Sequence, residues 1–169
     1  MSSKEDILRR CHTDMDFPMP QLDDIAAVRY PDPLAQFVSM SAAVGSKVVE
    51  LQPGEDINLL LRQLFPEAAV IASNLPQISI ATRNPDTVPD AAELDGTDVG
   101  VVRGSLGVAE NGCIWVPQTM KERAVCFISE HLVILLPKDA IVNNMHEAIK
   151  KIHIPKNSGG NSDVVDGLF

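Results

Sequence analysis

The chain has 169 residues, 45% apolar and 22% charged, with a formal net charge of -9, which suits one globular domain with a core of its own. Its acidic balance and scattered lysines and arginines exclude a phosphate-gripping surface, which rests on clustered basic side chains, so nucleic acid is not an expected partner. No run approaches the roughly 18 apolar residues of a membrane span, and the charged start MSSKEDILRR lacks the apolar centre of a secretory signal.

The elements follow in chain order. Ser3 and Asp6 mark the start of a first helix whose Ile7, Leu8 and Cys11 share a face, and a Pro-broken loop at 17–20 comes next. Asp32 as cap, Pro33 at the first helical position and Gly45 as left-handed stop bracket a second helix. Leu34, Phe37, Val38, Ser41 and Ala42 lie along one stripe of it. Residues 47–51 read as a strand. Residues 55–65 read as a helix, with Ile57, Leu60, Leu61, Leu64 and Phe65 recurring at helical spacing, and 69–73 as a buried strand. That order predicts a right-handed β-α-β unit with parallel strands.

The middle of the chain is richer in β-like runs, at 78–82, 99–102, 107–110, 113–116, 125–128 and 132–136, with room for one helical turn at 90–94. Such spacing requires hairpins and antiparallel pairs, and the wholly apolar run 132–136 is expected at the sheet's centre. Asp139 is the expected cap of a last helix through Ile152, with Ile141, Met145, Ala148, Ile149 and Ile152 inward and Lys150 and Lys151 in its final turn. The fold class expected is α/β, a mixed sheet flanked by helices, in one domain over 1–169 with a helix and loop at 1–20 and a loose tail at 155–169.

Cys11, Cys113 and Cys126 are odd in number and widely spaced, which argues against a disulfide framework and for small core hydrophobes in a reducing cytoplasm. They form no C-x-x-C, and His12, His131, His146 and His153 show no ligand spacing, so no metal site is expected. Phosphate-loop, dinucleotide, nucleophile-elbow and zinc-protease motifs are all missing, so no cofactor is expected.

The run Gly107-Val108-Ala109-Glu110-Asn111-Gly112-Cys113-Ile114-Trp115 has two readings. Asn111-Gly112 suits a two-residue type I′ hairpin turn, with Glu110 beside it and no further role. Alternatively the turn holds Glu110 at the mouth of a cleft, where partial burial suits a carboxyl to acid–base or nucleophilic work.

Residues 97–148 resemble the LUD (lactate-utilisation) domain family. The matching features are Asp98-Val99-Gly100, Val108-Ala109-Glu110-Asn111-Gly112, Arg123, His131-Leu132-Val133-Ile134-Leu135-Leu136 and Ile141-Val142, with Ser73-Asn74-Leu75-Pro76 fitting upstream. The resemblance implies a NagB/RpiA/CoA-transferase-like fold, that of ribose-phosphate isomerases, glucosamine-phosphate deaminases and CoA-transferases. It implies a site with Glu110 as the catalytic candidate and Asn111, Gly112, Arg103, Lys121 and Arg123 as ligand-binding candidates for a small carboxylate or other anion. It further implies an accessory, non-redox role in oxidation of L-lactate to pyruvate beside iron–sulfur subunits. A stand-alone isomerase or acyl/CoA-transferase using Glu110 is the alternative, and a homodimer suits the sheet edges. The chain departs from the family at 158–166, where the serine and acidic residues of a family loop are echoed at shifted spacing and no closing strand is expected.

Overall fold

The computed structural model describes residues 26–117 and 120–152, and the backbone of 167–168. The first predicted helix, Cys11, His12, His153 and the altered family loop lie outside the described residues.

Helix α1, Pro33–Ala43, begins where Asp32 caps it by accepting from the Ala35 N–H at 3.0 Å. It ends before Gly45, whose φ of 87° is the left-handed conformation that side chains disfavour. Phe37 and Ser41 are its buried residues; Val38 faces outward. Helix α2, Ile57–Leu64, is capped by Asp56 and buries Leu61. Strand β1 is only Ile71–Ala72. A single helical turn, Ala91–Leu94, capped by Asp90, leads to β2, Val99–Arg103.

Strand β3, Leu106–Val108, and β4, Ile114–Pro117, form an antiparallel hairpin. A helical turn, α3 (Val125–Ile128), then precedes β5, His131–Leu135. After one tight turn at Lys138–Ala140 come β6, Ile141–Val142, and helix α4, Met145–Lys151. A last strand, β7, is Gly167–Leu168.

The strands form two sheets. In the first, β1, β2 and β5 lie in that order and all parallel. In the second the order is β6-β3-β4-β7, with β3 parallel to β6 and both other pairings antiparallel. The sheets meet at Gly104, whose N–H donates to the Leu135 carbonyl at 3.0 Å. Strand β2 is buried on both faces, which its valines anticipate. Val99 and Val101 pack with Leu61, Ile71 and Ile78 on the side of α2, whereas Val102 packs with Leu94, Val116, Met120 and Val125 on the other. A third cluster, Leu106, Val108, Trp115, Val142 and Ala148, seats α4 on the second sheet.

Several expectations are corrected. The predicted strand at 47–51 forms no strand, and Val48, Val49 and Leu51 stay exposed. The outer edge of β1 is already closed by Thr82 and Arg83, whose N–H groups both donate to the Ile71 carbonyl, so the segment finds no vacancy there. The predicted β-α-β unit built on that strand therefore does not form, and 78–82 is a turn returning to β1 rather than a strand. Residues 125–128 are helical despite their β-like pattern. Gly100 opens the seat for this turn: a Cβ there would lie 2.6 Å from Ser129 Oγ and 3.1 Å from Val125 Cγ2. Strand β5 is an edge of its sheet, with β2 at the centre, against the expectation for 132–136. The last helix starts six residues later than Asp139, because Ile141 and Val142 pair with Gly107 and Val108 instead. At the tail, Gly167–Leu168 pairs with β4, so a short closing strand is present where none was expected.

Asp98 explains the acidic residue ahead of β2. Its Oδ2 accepts from the N–H groups of Ala69 and Val70, each at 2.7 Å, and these two bonds hold its carboxyl below the usual range. A folded-state pKa below the unfolded value of about 4 gives stability that is present above that pH and lost as pH falls through the folded value. Urea midpoints are accordingly expected to decline below about pH 4, with Asp98→Asn flattening that acid limb. An acid limb identical in the variant would remove Asp98 as a cause.

Candidate functional site

The Glu110 turn is built from the end of β3. Four residues, Ala109 to Gly112, separate Val108 from Cys113, whose carbonyl accepts from the Val108 N–H at 2.9 Å. The loop is thus longer than the two-residue type I′ turn that Asn111-Gly112 suggests. The Gly112 N–H donates to the Val108 carbonyl at 2.9 Å, and Asn111 Oδ1 accepts from the Cys113 N–H at 3.1 Å, an Asx turn. Gly112 has a φ of 73°, and a Cβ there would press 3.0 Å from the Ser41 N and 3.2 Å from the Met40 carbonyl carbon. The hairpin tip therefore rests on the end of α1.

The same tip is tied to α4. The Ala109 N–H donates to the Val142 carbonyl at 2.9 Å and the Glu110 N–H to the Asn143 carbonyl at 3.0 Å. Glu110 is exposed, and its Oε2 accepts from the Met145 N–H, the first of the helix, at 3.1 Å. Four amides at a helix start lack helical partners, and a carboxylate there also meets the positive end of the dipole. Glu110 thus acts as an external cap.

Two asparagines complete this helix start. Asn144 Oδ1 accepts from the Glu147 N–H at 3.0 Å, while Glu147 Oε2 accepts from the Asn143 N–H at 3.1 Å, a reciprocal arrangement of the capping-box kind. That backbone bond is the main cause holding the Glu147 carboxyl below its usual range. Asn143 Oδ1 also accepts from the Tyr30 N–H at 2.8 Å, and Asn144 Nδ2 donates to the Val28 carbonyl at 2.7 Å. The spacing Asn144…Glu147 is a readable capping signal in the sequence that the expected cap at Asp139 obscured.

The cations predicted to join Glu110 lie elsewhere. Arg103 ends β2, at the opposite end of β3 from the tip, and the three residues of β3 span about 10 Å at ~3.3 Å each. The Lys121 N–H donates to Asp86 Oδ1 at 2.8 Å, and its Nζ donates to the Val88 carbonyl at 2.9 Å and pairs with Glu122 at 3.6 Å. Arg123 is half-buried near Cys126, whose thiol is pushed up by burial. Glu110, Asn111 and Gly112 therefore share the tip, while Arg103 and Lys121 belong to its base.

That base coincides with the carboxyl ends of the parallel strands, the usual ligand side of an open α/β sheet. Ser73 Oγ donates to the Val101 carbonyl at 2.8 Å and accepts from the Leu75 N–H at 3.1 Å, fixing the turn after β1. Asn74 Nδ2 donates to Asp86 Oδ2 at 3.1 Å, so Asp86 links Asn74 to Lys121. Asp86 had no signal in the sequence, because its partners are 12 and 35 residues away. Among the described residues no three His, Cys, Asp or Glu side chains are grouped to hold a metal ion, and no helix is long and apolar enough to cross a membrane.

The comparisons agree with this architecture. The model of the LUD domain matches residues 34–164. A crystal structure of a DUF162 family protein from Deinococcus radiodurans superposes with a TM-score of 0.61 at 16% identity, covering 73% of this chain and 80% of that one. No curated protein matches the chain. The superposition supports the mixed α/β fold. A family match running from the second residue of α1 past the end of α4 takes in strands β1 to β6 and the Glu110 turn, and the chain belongs to the LUD domain family.

Proposed function

We propose that this chain is an accessory, non-redox component of an L-lactate-oxidising system, working beside iron–sulfur subunits in the cytoplasm. Lactate utilisation enters through the family, which is associated with it. Three cysteines are too few for a four-thiolate cluster within one chain, which favours partners as the redox centre. In this reading a small carboxylate binds at the hairpin base, where Arg103 and Lys121 supply positive charge with Arg123 as a further candidate, and Asn111 and Gly112 shape the tip.

The observation that carries the reading is the engagement of Glu110 with the Met145 amide. The alternative, a stand-alone isomerase or acyl/CoA-transferase, needs that carboxylate as base or nucleophile, and here it caps a helix. Affinity capture of the tagged chain from its own cells grown on L-lactate is expected to bring down iron–sulfur subunits, seen by mass spectrometry and visible absorbance. Within that complex Glu110→Gln is expected to reduce lactate oxidation less than about tenfold, because the amide oxygen still accepts from Met145, whereas loss of a general base costs on the order of 100-fold or more. A larger loss, or turnover of a sugar phosphate or acyl-CoA by the partner-free chain, would move the assignment to the enzyme.

A further inference from the structure

The outer edge of β5 is unpaired among the described residues, since the order of its sheet ends there. His131 donates its N–H to the Asp98 carbonyl and Leu135 accepts from Gly104, so odd-numbered residues face β2. In a parallel ladder the alternate residues face the other way, so the N–H and C=O groups of Leu132, Ile134 and Leu136 point outward. Edges are commonly blunted by proline or lysine, and Pro137 and Lys138 follow this strand. Pro137 continues the alternation with its nitrogen on the inner side, so its missing N–H removes nothing from the outer edge. The surface beside the edge is apolar: Leu132 is exposed, as are Phe127 and Ile128 just before it.

From this alternation and the charges flanking it, we infer that β5 is a homodimerisation edge that pairs antiparallel with a second copy of itself, about a two-fold axis at Ile134. In that register Leu132 faces Leu136 of the second copy, and all outward amides of the strand meet carbonyls. Just beyond the strand ends the same register brings Glu130 near Lys138 of the second copy, so each end sets opposite charges side by side. Glu130 and Lys138 are both exposed, and the ion pair of Lys138 with Glu50 leaves room for a second carboxylate. A strand with acid at its start and base at its end is self-complementary only when antiparallel, which is the isologous geometry of a two-fold dimer. This inference stands apart from the lactate reading, because neither the iron–sulfur partners nor the ligand enters it.

Sedimentation velocity between roughly 1 and 100 µM chain is expected to show a monomer–dimer equilibrium. Glu130→Lys, an exposed change that leaves the fold intact, is expected to weaken the dimer about tenfold by setting like charges opposite at both ends, and adding Lys138→Glu is expected to restore it. Oxidation with diamide is expected to link Ile134→Cys chains, whose self-paired Cα atoms lie about 5.5 Å apart, within disulfide reach. Leu132→Cys chains treated alike are expected to stay unlinked, being about 13 Å apart across the axis. A chain monomeric throughout the range overturns the inference. So does a dimer indifferent to both charge variants, or amides of Leu132, Ile134 and Leu136 protected from exchange equally at all concentrations, which assigns the edge to another segment of the same chain.

Discussion

Gly104→Ala is expected to lower the stability of the fold by about 2–3 kcal/mol, the upper part of the range for overpacking a close-packed interior. The residue is buried at the junction of the two sheets, where its N–H closes the ladder to Leu135. A Cβ built on it would stand 2.6 Å from Ile114 Cγ2 and 2.9 Å from Ile134 Cγ2. Both neighbours are β-branched and stiff at χ1, so neither methyl swings aside cheaply. Relief requires β4 and β5 to part or both isoleucines to leave their rotamers. For a chain of this size the loss corresponds to about 4–12 °C in Tm. Leucine lacks the branch at Cβ, so Ile114→Leu combined with Gly104→Ala is expected to recover part of the loss, a coupling of about 1 kcal/mol in a double-mutant cycle. A loss under about 0.5 kcal/mol would mean that the sheets are not in close contact here.

This junction shows what local patterns do and do not reveal. Helix α1 was legible because all its signals are local: Asp32, Pro33 and Gly45 mark its two ends. The valines of β2 were legible because a strand buried on both faces is apolar throughout. The elements that local patterns do not reveal are set by tertiary contacts. Residues 47–51 carry β-branched and apolar side chains that suit a strand, but the β1 edge they would join is occupied by Thr82 and Arg83, from 11 or more residues away. Residues 125–128 carry β-branched and aromatic side chains, yet the absence of a Cβ at Gly100 lets them coil against β2. The wholly apolar run 132–136 reads as a central strand, but β5 is an edge whose residues are only partly buried or exposed, so an apolar run alone does not mark the centre of a sheet.

The candidate site divides in the same way. Glu110, Asn111 and Gly112 are contiguous, so their common placement at the hairpin tip followed from the turn itself. The cations did not follow, because spacing along the chain says nothing about which end of a hairpin a residue occupies. Asp98 and Gly100, two of the features that mark the family, have structural explanations: one pins the start of β1 and the other seats α3. The tip, by contrast, meets three elements: it lies close against α1 at Gly112, and it bonds to β6 at Ala109 and to α4 at Glu110.

Asn144→Ala is expected to destabilise the fold by about 2–4 kcal/mol through two losses at one side chain. Asn144 is buried, at 1% exposure. Its Oδ1 caps α4 through the Glu147 amide, and its Nδ2 donates to the Val28 carbonyl. Loss of the cap costs about 1 kcal/mol, and leaving the Val28 carbonyl without its donor costs about 1–3 kcal/mol. Serine keeps an acceptor suited to the cap but cannot reach as a donor, so Asn144→Ser is expected to lose only the second part. Urea denaturation of both variants separates the two contributions. Glu110 remains on the Met145 amide in each, so the helix start is weakened but not stripped, and the hairpin tip keeps its bond to α4. Amide exchange at Tyr30, whose N–H is held by Asn143 Oδ1 next door, is expected to quicken in Asn144→Ala as the segment loosens. If serine proves as costly as alanine, the cap contributes little and the tie to Val28 is what holds this corner. If neither costs more than about 0.5 kcal/mol, Asn144 is not what fixes α4 beside the Glu110 turn.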